Sequence, residues 1–581
     1  MPTNFIKALA ILIGVVSGFG AVMFYEAINL CSSLLLSQVT GYIPPRAGGE
    51  GGTATFPPSR PYLIPLVTTL GGLLSGVIVY RFAPEAEGHG TDAAIDAFHN
   101  RNGEIRSRIP VVKLLASAIT IGSGGSAGRE GPTAQIGAGF GSYLGKVLHL
   151  NSHDRRIAVA VGISAGIGSI FKAPFGGALL GTEILYMGDF EVEALLPAFI
   201  ASTVGYSIFG FIMGWSPIFS LTDQYAFHDP FGLTFYAILG VVCGLVGIVY
   251  VRSFYGVRDF FQGMRIPRII KPALGGLIVG ILGMFFPQVL GGGYGWLQIA
   301  MNGGFVFLPL ALILFIILAK IFATSLSIGS GGSGGVFAPA LVIGGLLGET
   351  IWSVLKIAIP NIEASPAPFI IVGMMSFFGG VGKVPVAVII MVSEMTGDYT
   401  LLVPSMIATT IAYIITGRNT IYRSQVRSES ESPAHRKEYS VPLLQKLFVR
   451  DAMVKNVITV DPDLSLAEVA KAMAENGIKG MPVVDSTDDL IGVVTLTDIL
   501  KVDTDQREKK TVGTVMTREL VVTEPNESLY GAFQKMTGNQ IGRLPVVDPA
   551  DNRKLIGLIT RGDIGRIYNI EILSRLKETS A

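Results

Sequence analysis

The chain has 581 residues, of which 50% are hydrophobic, 15% are charged and 73 are glycine, with a formal net charge of +1. This mixture is too apolar for a soluble protein of that size and points to several membrane spans. The near-zero charge leaves no basic footprint for nucleic acid. Cys31 and Cys243 lie far apart in apolar runs, which favours packing over a disulfide or a metal site. There is no Cys/His cluster with metal spacing and no nucleophile–base set, so an enzyme is not expected.

A spanning helix needs about 20 apolar residues. The first stretch, Phe5–Leu36, is too long for a signal-peptide core and lacks a clear cleavage site, so it reads as the first span. Further full spans are expected at Tyr62–Phe82, Leu233–Val251, Ile269–Phe286, Phe307–Phe322, Ala340–Leu355 and Leu401–Ile415. Val111–Ile121, Pro132–Leu148, Ile157–Phe171, Pro174–Tyr186, Phe369–Gly379 and Val384–Val392 are shorter or broken by Gly and Pro. Irregular backbone at membrane depth is tolerated only inside protein or beside a water-filled cavity. Basic residues gather at Arg101–Arg108, Arg155–Arg156, Arg252–Lys271 and Arg418–Arg427, which marks those loops as cytoplasmic. Ser37–Ser59 and Trp215–Pro230 are expected outside.

Two glycine runs repeat. "IGSGGSAGREGPTAQIGAGFG" (Ile121–Gly141) aligns without gaps on "IGSGGSGGVFAPALVIGGLLG" (Ile328–Gly348), with 11 identities in 21 positions. Lys172, Pro174 and Glu183 recur at the spacing of Lys383, Pro385 and Glu394. The membrane part is therefore two related halves, about 1–213 and 232–416, within a domain of residues 1–425. Repeated halves with interrupted helices mark many transporters, whose site lies where the halves meet. A polar linker, 426–447, leads to a second repeat. "DAMVKNVITVDPDLSLAEVAKAM" is answered by "TVMTRELVVTEPNESLYGAFQKM", "GMPVVD" by "RLPVVD", and "IGVVTLTDI" by "IGLITRGDI". Their patterning predicts two small α/β modules, 448–504 and 511–570.

Small residues let membrane helices pack closely, and that accounts for most isolated glycines. The two aligned runs differ, because each ends an apolar segment and precedes a proline and a new helix. Such a turn presents backbone N–H groups at a helix start, where an anion is favoured. No Gly-Lys-Ser/Thr follows, which excludes a nucleotide P-loop. Amides hold an anion loosely enough for it to leave, which suits conduction.

"GREGP" (Gly128–Pro132) and "GVFAP" (Gly335–Pro339) resemble the two signature motifs of the CLC chloride channel and transporter family. "YRFAPEAEGHGTD" stands where the family's first anion-binding motif falls, and "NTIYRSQ" resembles its last membrane helix. The tail resembles a pair of CBS modules. The resemblance spans the whole chain. It implies an α-helical polytopic membrane protein of two inverted repeats followed by a cytoplasmic CBS pair. It also implies a multi-pass homodimer in the cell membrane with one chloride pathway per subunit. Glu130 matches the family's gate: a tethered carboxylate that occupies the anion's own site until it is protonated or displaced. The implied anion-binding set is Gly88, His89, Gly90, Gly128, Arg129, Gly131, Gly335, Val336, Phe337, Ala338 and Tyr422. Arg129 is expected to be structural or to add local positive potential.

Two positions depart from the family pattern. His89 stands at the place of the usual serine, either donating to the anion and adding pH sensitivity, or capping a helix. Ile184 follows Glu183 where proton-coupled members carry a second glutamate as proton relay. An aliphatic residue carries no proton, so the sequence favours a voltage- or pH-gated chloride channel, with a proton-coupled chloride antiporter as the alternative. A CBS-containing divalent-cation transporter would want several carboxylates along a pathway, and the glycine runs present amides instead. In the tail, Thr495 with Asp498, and Thr560 with Asp563, resemble the ribose- and phosphate-binding residues of CBS clefts, with Arg561 in reach of a phosphate. The implied ligand is an adenine nucleotide, with no required cofactor and no metal. The alternative for the pair is dimerisation alone.

Overall fold

The structure is a computed structural model that describes residues 3–221, 230–359, 365–435 and 443–579. The end of the expected outer loop Trp215–Pro230 and the middle of the linker 426–447 fall outside these ranges. The chain forms two units, residues 1–436 and 437–581.

The first unit is helical and each half supplies a matching series. The first runs Thr3–Cys31, Ile64–Phe82, Thr91–Asn100, Ile109–Gly122, Glu130–Val147, Ser152–Ile170, Pro174–Glu183 and Val192–Met213. The second runs Leu233–Gly263, Lys271–Phe285, Tyr294–Met301, Leu310–Gly329, Phe337–Ala358, Ala367–Gly382, Pro385–Thr396 and Leu402–Thr416. Prolines set many of these starts. Pro110, Pro174, Pro272 and Pro385 stand in the first turn, where a missing N–H removes no helical bond.

Packing repeats between the halves as well. The helix from Glu130 lies on the helix from Ser152, as the helix from Phe337 lies on the helix from Ala367. Glycines permit both crossings. A methyl group on Gly137 would overlap the Gly162 carbonyl oxygen, and the reverse holds; Gly344 and Gly373 repeat the arrangement. The halves are inverted repeats, and the helices from Ile64 and Lys271, and those from Pro174 and Pro385, meet across the axis between them.

Among the described residues, six helical runs are long and apolar enough to cross a membrane: Lys7–Thr40, Pro61–Phe82, Val192–Met213, Leu233–Gly263, Leu310–Gly329 and Phe337–Ala358. Val192–Met213 is absent from the sequence-derived spans, because Glu193, Pro197 and several small polar residues interrupt its apolar run. Lys271–Phe285 and Leu402–Thr416 are shorter than a full span. Their 15 residues each reach only about 22 Å at the helical rise.

The second unit holds two antiparallel hairpins. β1 (Gly480–Val484) pairs with β2 (Leu490–Thr495), and β3 (Arg543–Asp548) with β4 (Asp551–Thr560). Helices Leu466–Glu475 and Leu529–Gly538 cover them, capped by Ser465 and Ser528. Ser465 holds the Glu468 carboxyl below the usual glutamate range. This cap therefore contributes fully above that range, and the contribution is lost as pH falls through the folded value.

Gly162→Val places a branched side chain against a backbone carbonyl that cannot rotate away. It is expected to cost roughly 3 kcal/mol, read as a lowered unfolding temperature in detergent.

Candidate anion pathway

The two glycine runs are joined backbone to backbone. Gly128 N–H donates to the Gly335 carbonyl and Gly335 N–H to the Gly128 carbonyl, both at 2.7 Å. The loop before Thr91 joins the same knot. Gly88 N–H donates to the Gly332 carbonyl at 2.9 Å, and Gly334 N–H to the Gly88 carbonyl at 3.2 Å. Helices then begin at Thr91, Glu130 and Phe337. Three helix N-termini thus converge on one buried volume, where their free N–H groups favour negative charge.

Glu130 supplies that charge. Its carboxylate accepts a hydrogen bond from Ala338 N–H in the first turn of the opposite helix, and the residue is 4% exposed. Its Oε2 has no hydrogen-bond partner among the described residues. A methyl group on Gly128 would overlap both carboxylate oxygens, and one on Gly131 would overlap the His89 carbonyl. Only glycine leaves room here for the carboxylate and for the neighbouring loop.

Phe337 lies 4.3 Å from Phe378, which lies 6.3 Å from Tyr422, between ring centroids. His89 completes this group, 5.3 Å from Tyr422. The Val336 carbonyl accepts from the Tyr250 hydroxyl at 3.2 Å. The structure thus brings Gly88, His89, Gly90, Gly128, Glu130, Gly131, Gly335, Val336, Phe337, Ala338 and Tyr422 into one region. His89 Nδ1 faces Asp92 N–H at 3.5 Å, a long capping contact.

Two clefts approach this region. One, of about 230 Å³, is lined by Gly88, His89, Gly90, Asp92, Arg258 and Ser424. The other, of about 380 Å³, is lined by Gly128, Arg129, Glu50, Gly291–Gly293 and Tyr294. Arg129 faces this second cleft. It pairs with Glu50 and lies within 6 Å of the rings of Tyr25, Phe171 and Tyr294. A guanidinium among rings and one carboxylate is held by cation–π and ionic contacts together.

Two lysines that build the site escaped the sequence reading. Lys113 Nζ donates to the Ala86 and Gly88 carbonyls at 3.0 and 2.7 Å. Lys320 Nζ donates to Val289 and Gly291 at 3.0 and 2.8 Å. The two lysines stand one behind each loop and are separated by the spacing of Ser126 and Ser333. That shared spacing was the available signal. Glu183 accepts from Val386 and Ala387 N–H at 3.2 and 2.7 Å, while Glu394 accepts from Phe175 and Gly176 N–H at 3.1 and 2.7 Å. Each glutamate closes the start of the other half's helix. Ile184 is 1% exposed, directly after this cap.

In the second unit Asp498 Oδ2 accepts from the Thr495 hydroxyl at 2.6 Å, and Asp563 Oδ2 from the Thr560 hydroxyl at 2.7 Å. Both aspartates cap the helix that follows their strand. Arg561 donates to the Met536 carbonyl at 3.2 Å.

The family model described as "Voltage gated chloride channel" matches residues 71–417, more than half of the chain. The chain belongs to the CLC family. Two CBS domains follow at 449–505 and 512–568. A relative from Methanocaldococcus jannaschii, "Uncharacterized protein MJ0305", is 30% identical over 73% of this chain and 99% of its own length. The "H(+)/Cl(-) exchange transporter ClcA" of Salmonella agona is 32% identical over 61% of this chain and 77% of its own. Among solved structures, a slow cyanobacterial Cl-/H+ antiporter superposes with a TM-score of 0.63 at 24% identity, covering 72% of this chain and 96% of its own. A eukaryotic CLC transporter does so with 0.58 at 19% identity, covering 96% and 97%. These two likenesses establish the CLC fold.

Removing one partner of a buried pair strands the other's charge. Glu50→Ala is therefore expected to destabilise by about 3 kcal/mol. Removing Arg129 as well restores part of the loss, read from unfolding temperatures of the two variants.

Proposed function

We propose that this CLC protein is a proton-coupled chloride exchanger, with Glu130 as the group that chloride and protons share. One observation carries the reading: the Glu130 carboxylate bonds the Ala338 N–H at a helix start. A chloride ion entering the same helix start would use the same donor. The carboxylate must leave before the anion arrives, and a departing carboxylate that takes up a proton links the two movements. The exchanger named among the relatives points the same way.

Ile184 favours the second reading, a channel in which Glu130 only opens and closes the path. A structure whose proton route avoids position 184 reconciles the isoleucine with exchange. The basic loops favour a cytoplasmic side for the cleft beside His89 and the opposite side for the cleft beside Arg129. His89 lines the inner cleft, where a capping nitrogen toward Asp92 leaves its other ring nitrogen for an anion. The remaining anion contacts are the amides around Gly128–Gly131 and Gly335–Ala338 and the Tyr422 hydroxyl. Two subunits, each with its own path, make the working assembly. The CBS pair binds an adenine nucleotide through Asp498 and Asp563, whose second oxygens are turned to Lys501 and Arg566.

Purified protein in liposomes separates the two transport readings. A steep chloride gradient is imposed without a proton gradient, and voltage is clamped by potassium and valinomycin. Exchange gives proton movement tied to chloride that voltage alone cannot drive, whereas a channel gives chloride flux alone. Glu130→Gln is expected to lower proton flux by roughly 100-fold while chloride still moves, because an amide takes no proton. For the tail, isothermal titration with ATP and AMP is expected to show binding that Asp498→Ala with Asp563→Ala removes. Unchanged titration in the double variant contradicts nucleotide binding by these aspartates.

A further inference from the structure

Exchange needs a way for protons to enter from the cytoplasm, and Ile184 offers none. Two residues beyond it the chain places Tyr186, fully buried. The Tyr186 hydroxyl donates to Glu191 Oε2 at 2.6 Å. The same oxygen lies 3.1 Å from His435 Nε2. His435 Nδ1 lies 3.4 Å from Glu429 Oε1. Glu191 is 1% and His435 2% exposed, while the Glu429 side chain is 24% exposed. Four titratable groups, linked by two hydrogen bonds and one ion-pair contact, thus run in line from partial exposure to full burial.

We propose that Glu429, His435, Glu191 and Tyr186 form the cytoplasmic proton entry, replacing the carboxylate absent at position 184. This inference rests on the exchange reading above.

Burying a carboxylate and an imidazole is costly, and one pair suffices to neutralise them. Here the imidazole holds two carboxylates, one on each ring nitrogen, and a phenol extends the line inward. An imidazole engaged at both nitrogens accepts a proton on one and releases another from the opposite side. Glu429 takes a proton from water and passes it to Nδ1. The Nε2 proton goes to Glu191, whose acid form donates to the Tyr186 oxygen as the Tyr186 hydroxyl releases its own proton to water on the inward side. One proton enters, one leaves, and no other bond changes.

The line also ends in the right place. Gln425 Nε2 donates to the carbonyls of Ile184, Tyr186 and Gly382 at 3.0, 3.3 and 2.9 Å. Gln425 N–H donates to the Tyr422 carbonyl at 3.2 Å. The inner end is therefore fastened to the turn that carries Tyr422. Other groups among the described residues lie around it. The His99 ring lies 5.3 Å from Tyr186, its nitrogens held by Ser432 Oγ and the Leu185 carbonyl, both at 2.8 Å. Asp189 accepts from Glu429 N–H at 3.1 Å, and Arg156 is buried nearby. His99 closes its helix just before the basic loop at Arg101, which puts the outer end on the cytoplasmic side.

The test is the ratio of proton to chloride flux for the full chain in liposomes, for wild type, Glu191→Gln and Glu429→Gln. Glutamine keeps the hydrogen-bonding shape and carries no proton. The expected result is a wild type that exchanges, and variants in which protons per chloride fall by about tenfold or more. A merely structural role lowers both fluxes together and leaves their ratio in place. Should Glu191→Gln fail to fold, Glu429→Gln at the partly exposed end carries the same test. A wild type that exchanges, with both variants keeping its ratio, overturns the relay and leaves exchange standing. A wild type that moves chloride without protons overturns the exchange reading and the relay with it.

Discussion

Everything at the centre of this protein depends on the paired backbone bonds between Gly128 and Gly335. They bring two helix starts, one from each half, to within a hydrogen bond of each other. The free N–H groups of both helices then face one small buried volume. Backbone dipoles supply the positive potential, so a fixed cation inside the path is not needed. The buried lysines Lys113 and Lys320 stand behind the loops and hold their carbonyls.

That arrangement underlies the proposal that the Glu130 carboxylate is a gate. A membrane interior penalises an ionised glutamate heavily unless donors meet it. The donors that meet Glu130 are amides at a helix start, and in the proposed exchange chloride would use the same ones. Competition between two anions for one set of amides would then be a switch that needs no large motion. Arg129, the neighbour in sequence, turns to Glu50 and three aromatic rings beside the cleft lined by Gly291–Gly293.

Much of this was legible in the sequence because turn chemistry is local. Glycine runs followed by proline mark helix starts, and their repetition exposes the two halves. The CBS modules were legible for the same reason, through alternating strands and the repeated Thr and Asp spacing, although the capping role of those residues was not. What stayed hidden depends on distance along the chain. Glu50 meets Arg129 from 79 residues away, and nothing in "AGGE" announces it. Glu183 and Glu394 were visible as a repeated spacing, yet their exchange of helix caps follows only from the axis between the halves. The helix Val192–Met213 was lost to Pro197 and a patchy apolar pattern. Glu191 and His435 lie 244 residues apart, in stretches that read as a loop and a linker.

The account stands or falls on whether chloride and Glu130 use the same donors. Bromide, which replaces chloride and scatters anomalously, locates the anion directly in crystals of the wild type and of Glu130→Gln. The account predicts a bromide peak within hydrogen-bonding distance of Ala338 N–H in the variant, and no peak there in the wild type while the carboxylate holds that position. A wild-type structure with bromide on Ala338 N–H and the Glu130 carboxylate still bonded to it would contradict the account.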